Sequence, residues 1–571
     1  MSSRQEHTGG RDRDANPPAP SRRDVLGGAG LAVGALALPG VHAADARGAD
    51  HARADAAGST KATHFDFTNQ PPRVRKSFYD LSEKEVRNFC DAVGYMRDGW
   101  RKGGKPLSLS SPVQWDNLVS THAYHCTEAD HGVLQVHWSW FFLPWHRAYL
   151  FIIERHLANV ISEVFGQPAD AAGFALPYWD WETHKGIPNT KIREGKQVPS
   201  PLFGFDLKSN FDPSGDGDPD SFNLALVDGY RGPSLESPDM DPAKEPTDGW
   251  KKYTKMIRDY HTSPDQISTI LKLPFCVFGG MQHIDRSTGM GLLESSPHNT
   301  VHDWAGSRYG SNRDMGTLRY AAMDPVFYLH HGNVDRIWSL YPYTPDPDAP
   351  PAPPNNCEYT PAGLKAWGDQ QFEFLDVGAK PVYITVRDTI KAKSGVTYAP
   401  PSRAPAFLAT LPERKAVPKE RSVVISRKEA ELTDKAVSFS PEAGAALQAD
   451  KPGGRPAKPA AAVLEIDVGD FYYSSRFRVE VYASAGAAVR NPPLDEKHFV
   501  GSFQVLDSHA GVAGGNATHT FFVNVSPGAS NFFTVAPPGM PYTLTLVPKG
   551  SSSKDKKFFL KVTGIKLRVY E

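Results

Sequence analysis

Residues 324–338 read Asp-Pro-Val-Phe-Tyr-Leu-His-His-Gly-Asn-Val-Asp-Arg-Ile-Trp (DPVFYLHHGNVDRIW), and the fold is read outward from them. Asp324 and Pro325 make a helix start, because a carboxylate accepts orphan amide N–H groups and proline suits the first turn. The helix that follows carries two adjacent histidines. Neighbours on a helix point about 100° apart, so only one of His330 and His331 faces a given point. We take His331 to face inward, leaving His330 as a supporting residue. Asp335, one turn further on, is expected to accept a proton from the second nitrogen of His331 and so fix its ring.

Working towards the N-terminus, 295–304 contain a second pair. Ser296 reads as an N-cap and Pro297 as the first helical position. His298 and His302 then lie one turn apart on one face, the usual way for a helix to offer two imidazoles to one metal. A third group is more scattered. Trp115, Leu118, Val119 and His122 recur at helical spacing and place His122 on a buried face, where a lone histidine is more often a hydrogen-bonded core residue than a ligand. His137 and His146 stand nine residues apart, on opposite faces of any single helix. Pro144 resolves this by ending one segment and starting the helix of His146, so that the two histidines converge across a kink. Thirteen of the twenty histidines fall between His122 and His331, which locates the chemistry.

The candidate ligands are three histidines from each region, with no carboxylate at matching positions. Di-iron sites want Glu beside His, and hydrolytic zinc sites mix His with Asp or Glu. All-imidazole ligation suits copper. Two copper ions facing each other, with O2 as co-substrate, are the expected cofactors.

The motifs HxxxC (His122 to Cys126), VHWSWFFLPWHR (from Val136), LPYWDWE (from Leu176), SPHNTVHDW (from Ser296) and DPVFYLHHGNVDRIW resemble, in order and spacing, the tyrosinase and catechol oxidase family, and the likeness to plant-type polyphenol oxidases spans roughly 65–571. The resemblance implies that His122, His137 and His146 bind the first copper and His298, His302 and His331 the second. It implies a thioether between Cys126 and His137, against the alternative of a buried free thiol. Leu318 is implied as a gate over the first copper, a core leucine being the alternative. Glu294 and Asn299 are implied to hold a water that helps deprotonate a phenol, against a role in helix capping. Asp303 is expected to place a negative charge at the substrate entrance. The implied activity is oxidation of o-diphenols, with hydroxylation of monophenols a further option, to o-quinones. The competing class is a haemocyanin-like oxygen-binding protein with the same coppers. The chain departs from the plant pattern in lacking the cysteines for an N-terminal disulfide pair.

The remaining sequence frames this core. Lys plus Arg (63) balance Asp plus Glu (64), so no global field favours nucleic acid, and the expected partner is a small phenol. Four cysteines without paired spacing suggest that disulfides do not define the fold. Arg22-Arg23, a short apolar stretch and Val41-His42-Ala43 resemble a twin-arginine export signal, too short to span a bilayer. This predicts a periplasmic or extracellular protein, with a thylakoid lumen as the alternative, and no stable membrane insertion. The expected division is 1–63 export signal and leader, 64–345 copper domain, 346–440 connecting region with short strands, 441–459 linker rich in Ala, Gly, Pro and Lys, and 460–571 a covering domain. The fold class is a mainly α core, a four-helix bundle with long loops, followed by a C-terminal β-sandwich of alternating strands. The resemblance further implies a latent proenzyme whose final domain shields the copper entrance, with 506–515 as a candidate plugging loop.

Overall fold

The computed structural model describes most of 61–570, the larger stretches outside the described residues being 99–112, 128–133, 184–189, 200–247, 282–287, 306–313, 350–356, 409–418, 442–458, 507–518 and 551–557. The leader with its arginine pair and most of the expected linker therefore lie outside the described residues. Six helices carry the argument: α1 (Glu83–Asp98), α2 (Trp115–Thr127), α3 (Phe142–Asn159), α4 (Asn299–Trp304), α5 (Leu318–Ala321) and α6 (Val326–Leu340).

Helices α3 and α6 are buried on nearly every side. Their sequences are apolar around the whole circumference rather than along one stripe, which is the pattern of a central helix. Their few charges are paired, as burial demands. Glu154 of α3 accepts from Arg75 at 2.9 Å, and Arg336 of α6 meets Glu182 and Asn333. Helix α6 begins as expected, with Asp324 Oδ1 accepting the Val326 N–H at 2.9 Å. Pro144 sits in the first turn of α3, where its missing N–H leaves no bond unmade.

The start expected at Ser296 is not a start. Helical structure begins at Leu292 and passes through a π-turn, Glu294–His298, directly into α4. Pro297 lies inside this turn, and the wider winding accommodates a residue that lacks an N–H and crowds the preceding turn. The Ser296 hydroxyl meets His261 Nδ1 at 2.7 Å instead of capping a helix end.

The C-terminal half forms two sheets. We label the strands β1 (Thr288–Gly289), β2 (Glu420–Ser426), β3 (Ala430–Leu432), β4 (Val437–Phe439), β5 (Ala461–Tyr473), β6 (Phe477–Ala485), β7 (Phe499–Val505), β8 (His519–Asn524), β9 (Tyr542–Gly550) and β10 (Phe558–Tyr570). One sheet runs β3-β10-β5-β8-β1 with β2 also on β10, and the other runs β4-β9-β6-β7. Residues 420–439, expected to be connecting chain, thus supply three strands to these sheets. Strand β1, from the helical half, pairs in parallel with β8. Trp138 and Met290 likewise belong to the hydrophobic cluster between the sheets and not to the helical core, whereas Leu506 and Phe522 join the helical core.

Contrary to the reading of the cysteines, Cys276 and Cys357 form a disulfide with Cα atoms 5.4 Å apart. A pair separated by 81 residues carries no local signal. Among the described residues, no helix is long and apolar enough to cross a membrane.

Candidate metal centre

The six histidines arrive from five segments. His122 comes from α2, His137 from the turn before α3, His146 from α3, His298 and His302 from the π-turn and α4, and His331 from α6. All are buried to 2 % exposure or less. Donor atoms of His122, His137 and His146 lie within 4.8 Å of one another, as do those of His298, His302, His330 and His331. The rings of His146 and His331 stack at 4.2 Å between centroids and 11° between planes, so the two groups face each other.

Hydrogen bonds at the far side of the rings set which nitrogen points inward. His298 Nδ1 donates to Asn299 Oδ1, and His302 Nδ1 donates to the Met315 carbonyl, both at 2.8 Å. His146 Nδ1 donates to the Phe142 carbonyl at 2.8 Å. With those protons committed, each Nε2 carries a lone pair. The Nε2 atoms of His298, His302 and His331 are 3.1 to 3.3 Å apart. For His298 and His302, whose Nδ1 protons are committed, the two Nε2 lone pairs face each other at 3.1 Å and repel unless a cation lies between them. The centre of such a triangle is about 1.9 Å from each corner, close to the roughly 2.0 Å of a metal–imidazole bond. Residues and spacing therefore fit a metal ion.

Burial, with smaller effects from neighbouring imidazoles, pushes His122, His137, His298 and His331 well below the ordinary histidine pKa. Burial likewise takes His146 down to about 3 and His302 to about 4. Neutral imidazole is the form that binds metal. The described donor groups contain no carboxylate, and a set made only of imidazoles suits copper.

His330 enters the second group, but its lone pair is used elsewhere. The Trp181 indole N–H, which can only donate, points at His330 Nδ1 at 3.2 Å. The His330 ring stacks on His298 at 5.1 Å and supports it from the side.

The other expected residues are placed as follows. Asp335 does not touch His331. Its carboxylate is taken by Arg147 at 2.5 Å, Arg75 at 3.2 Å and the Tyr398 hydroxyl, because two arginines, one buried and one half-buried, outcompete a neutral ring for an anion. His331 Nδ1 is buried without a hydrogen-bond partner. Asp303 is fully buried. Glu294 accepts the Trp138 N–H at 2.9 Å, and burial raises its pKa well above the carboxylate range. Asn299 bonds His298 with its oxygen and donates Nδ2 to the Gln504 carbonyl at 2.7 Å. Leu318 opens α5 and is buried in the helical core. The Cys126 side chain lies outside the described part of the structure. Trp138, Trp181 and Gln504 were missed from sequence. Trp138, which follows His137, and Trp181 both sit in motifs already singled out, but nothing local connects Gln504 to the site.

The family model for the common central domain of tyrosinase matches residues 112–343. Polyphenol oxidase E, chloroplastic, of Solanum lycopersicum is 27% identical over 537 residues, covering 89% of this chain and 82% of that protein. Catechol oxidase B, chloroplastic, of Solanum tuberosum is 29% identical over 336 residues, 57% of this chain and 49% of its own length. Among solved structures, a recombinant latent aurone synthase (polyphenol oxidase) matches with a TM-score of 0.57 at 22% identity, over 89% of this chain and 92% of that one. Latent apple tyrosinase matches with a TM-score of 0.56 at 21% identity, over 90% and 100%. At these identities the structural matches establish likeness of fold: helical core followed by C-terminal antiparallel sheets.

Proposed function

The chain belongs to the tyrosinase and polyphenol oxidase family, and from that premise we propose that it is a phenol oxidase in which His122, His137 and His146 hold one copper and His298, His302 and His331 a second. When bound, the copper pair supplies the electron transfer that couples O2 reduction to oxidation of an o-diphenol to an o-quinone. The observation that carries this reading is the facing pair of all-histidine clusters, with three Nε2 atoms converging at 3.1 to 3.3 Å.

The chain's own residues hold and orient. The Phe142 and Met315 carbonyls and the Asn299 amide keep Nδ1 protonated on three rings, so each Nε2 stays a donor to metal. Glu294 and Asn299 flank the second cluster and are assigned the water that receives the phenol proton. A carboxyl whose pKa burial has raised is better matched to a phenol than an ordinary one. Cys126 is assigned the thioether to His137, tested by whether their peptides stay joined after reduction and digestion.

Latency completes the reading. Strand β7 lies against the π-turn and α4, its Gln504 carbonyl bonds Asn299, and Leu506 just beyond it is buried in the helical core. We assign this edge of the sandwich the role of cover, with Leu506 the described start of the 506–515 plug. The twin-arginine leader is assigned to export. Oxygen uptake by copper-loaded protein tests the whole: two coppers per chain and catechol-dependent uptake are expected, increasing after cleavage within 441–459. Reversible O2 binding with no catechol consumed, before and after cleavage, would point to an oxygen carrier instead.

A further inference from the structure

In each cluster, the residue that follows one histidine is gripped by the C-terminal sheets. Trp138, next to His137, has φ of 63°, a left-handed backbone that bulky L residues rarely adopt. Such a conformation persists only where its surroundings over-determine it. Here the indole leaves the helical core and packs between the sheets, with its ring centroid 6.1 Å from Phe521 and 6.2 Å from His519. Its amide N–H is meanwhile held by Glu294.

Asn299, next to His298, is gripped differently. Its NH2 donates to the backbone carbonyl of Gln504 on β7 at 2.7 Å. That bond decides which end of the amide faces the ligand. With the NH2 turned to β7, the oxygen meets His298 Nδ1 at 2.8 Å and leaves the lone pair on Nε2. A flipped amide would present an N–H to a ring nitrogen that must keep its own proton.

We infer that the C-terminal sandwich has a function beyond covering the site: it sets the geometry of both histidine clusters for metal capture, through Trp138 on one side and Asn299 on the other. Without the indole anchor, the turn relaxes towards ordinary backbone angles and carries His137 off the cluster. Without the Gln504 carbonyl, the orientation of His298 is no longer fixed. The cover is then also part of the mould, and a rigid mould is what keeps ligands in place before the metal arrives.

This rests on the reading of the clusters as copper sites, and the experiment separates the two. Full-length protein stripped of copper is titrated with cuprous ion against a competing chelator, and copper per chain is counted by mass spectrometry. Two reference chains, His302→Ala and His146→Ala, report the first and second clusters separately. Trp138→Ala in each background removes the indole itself and leaves Phe521 stacked on Phe503 of β7 at 4.5 Å, so that β7 and Asn299 keep their supports. The expected result is a loss of about tenfold or more in copper affinity at the first cluster, little change at the second, and recovery of most of the loss with Trp138→Phe. Unchanged affinity at the first cluster overturns the inference, and so does an equal loss at both, which would mark general destabilisation. Failure of the unsubstituted chain to take up any copper removes the site reading instead.

Discussion

The two histidine clusters present the same chemistry on different supports. The second takes His298 and His302 from one continuous helical segment and His331 from α6, and two of its rings are fixed through Nδ1 by partners within the helical half. The first takes one of its three rings from a turn that contains a left-handed tryptophan, and that turn is held from the sandwich. The second cluster is mostly built by local rules of helix geometry, whereas the first needs distant parts of the chain. Ligand spacing on a helix is legible in sequence; a turn held by tertiary packing is not.

The largest expected effects come from deleting one ring in either cluster. His146→Ala and His331→Ala should each leave one copper per chain instead of two and abolish catechol oxidation, since each cluster is left with two imidazoles. Metal analysis and oxygen uptake on the same preparation check this. Retention of both coppers by either variant would break the assignment of that histidine.

Next in size is the loss of a partner behind a ring. Asn299→Leu keeps the side-chain bulk and removes the acceptor of His298 Nδ1. Copper affinity at the second cluster should fall by about 10- to 100-fold, the usual effect of removing such a partner, with the first cluster unchanged. A loss confined to the first cluster would reverse the comparison.

The same contrast explains what could be read in advance. Asp324-Pro325, the spacing of His298 and His302, and the break at Pro144 are local signals, and the helices around the six histidines follow from them. Pro297 looked like a helix start because proline favours first turns, yet the chain absorbs it in a π-turn that no residue type announces. Asp335 was expected to serve His331 because the two are one turn apart. Arg75 and Arg147, far away in sequence, claim it instead. The alternation of β5 to β10 was legible, while β3 and β4 are only three residues each and too short for a pattern to show. The pairing of Cys276 with Cys357 and the grip of the sheets on Trp138 are contacts of the folded chain alone.

A smaller effect should appear as pH dependence on the side of the second cluster. His261 is fully buried between Ser296, two residues before His298, and Ser502 of β7, at 2.7 and 2.8 Å. Burial first, and the Arg478 cation second, lower its pKa to about 3. The unfolded histidine titrates near 6.5, so between about 6.5 and 3 the unfolded state binds a proton that the folded state refuses. Stability contributed by this group is present above about pH 6.5 and is lost as pH falls, on the order of 1 kcal/mol per pH unit. His261→Gln keeps a polar side chain and removes the titration. Its denaturation midpoint should fall less between pH 6.5 and 4 than that of the unsubstituted protein; parallel curves would show that His261 is not responsible.

The smallest effect concerns the ring that stands beside the second cluster without belonging to it. His330 receives the indole N–H of Trp181 at 3.2 Å on Nδ1. An indole cannot accept, so neutral His330 carries its proton on Nε2, the atom that would otherwise compete for copper. Trp181→Phe removes that donor while keeping an aromatic ring in the buried position. The lost bond should cost about 1 kcal/mol of stability, and copper affinity should change by no more than a few-fold, because His298, His302 and His331 retain their own supports. The tautomer, however, is released. In the reduced, diamagnetic copper form, nitrogen-15 spectra of histidine-labelled protein should show the His330 proton on Nε2 in the unsubstituted chain and at least partly on Nδ1 in the variant. An unchanged His330 pattern would mean that Trp181 does not set the tautomer, and the exclusion of His330 from the ligand set would then need another cause.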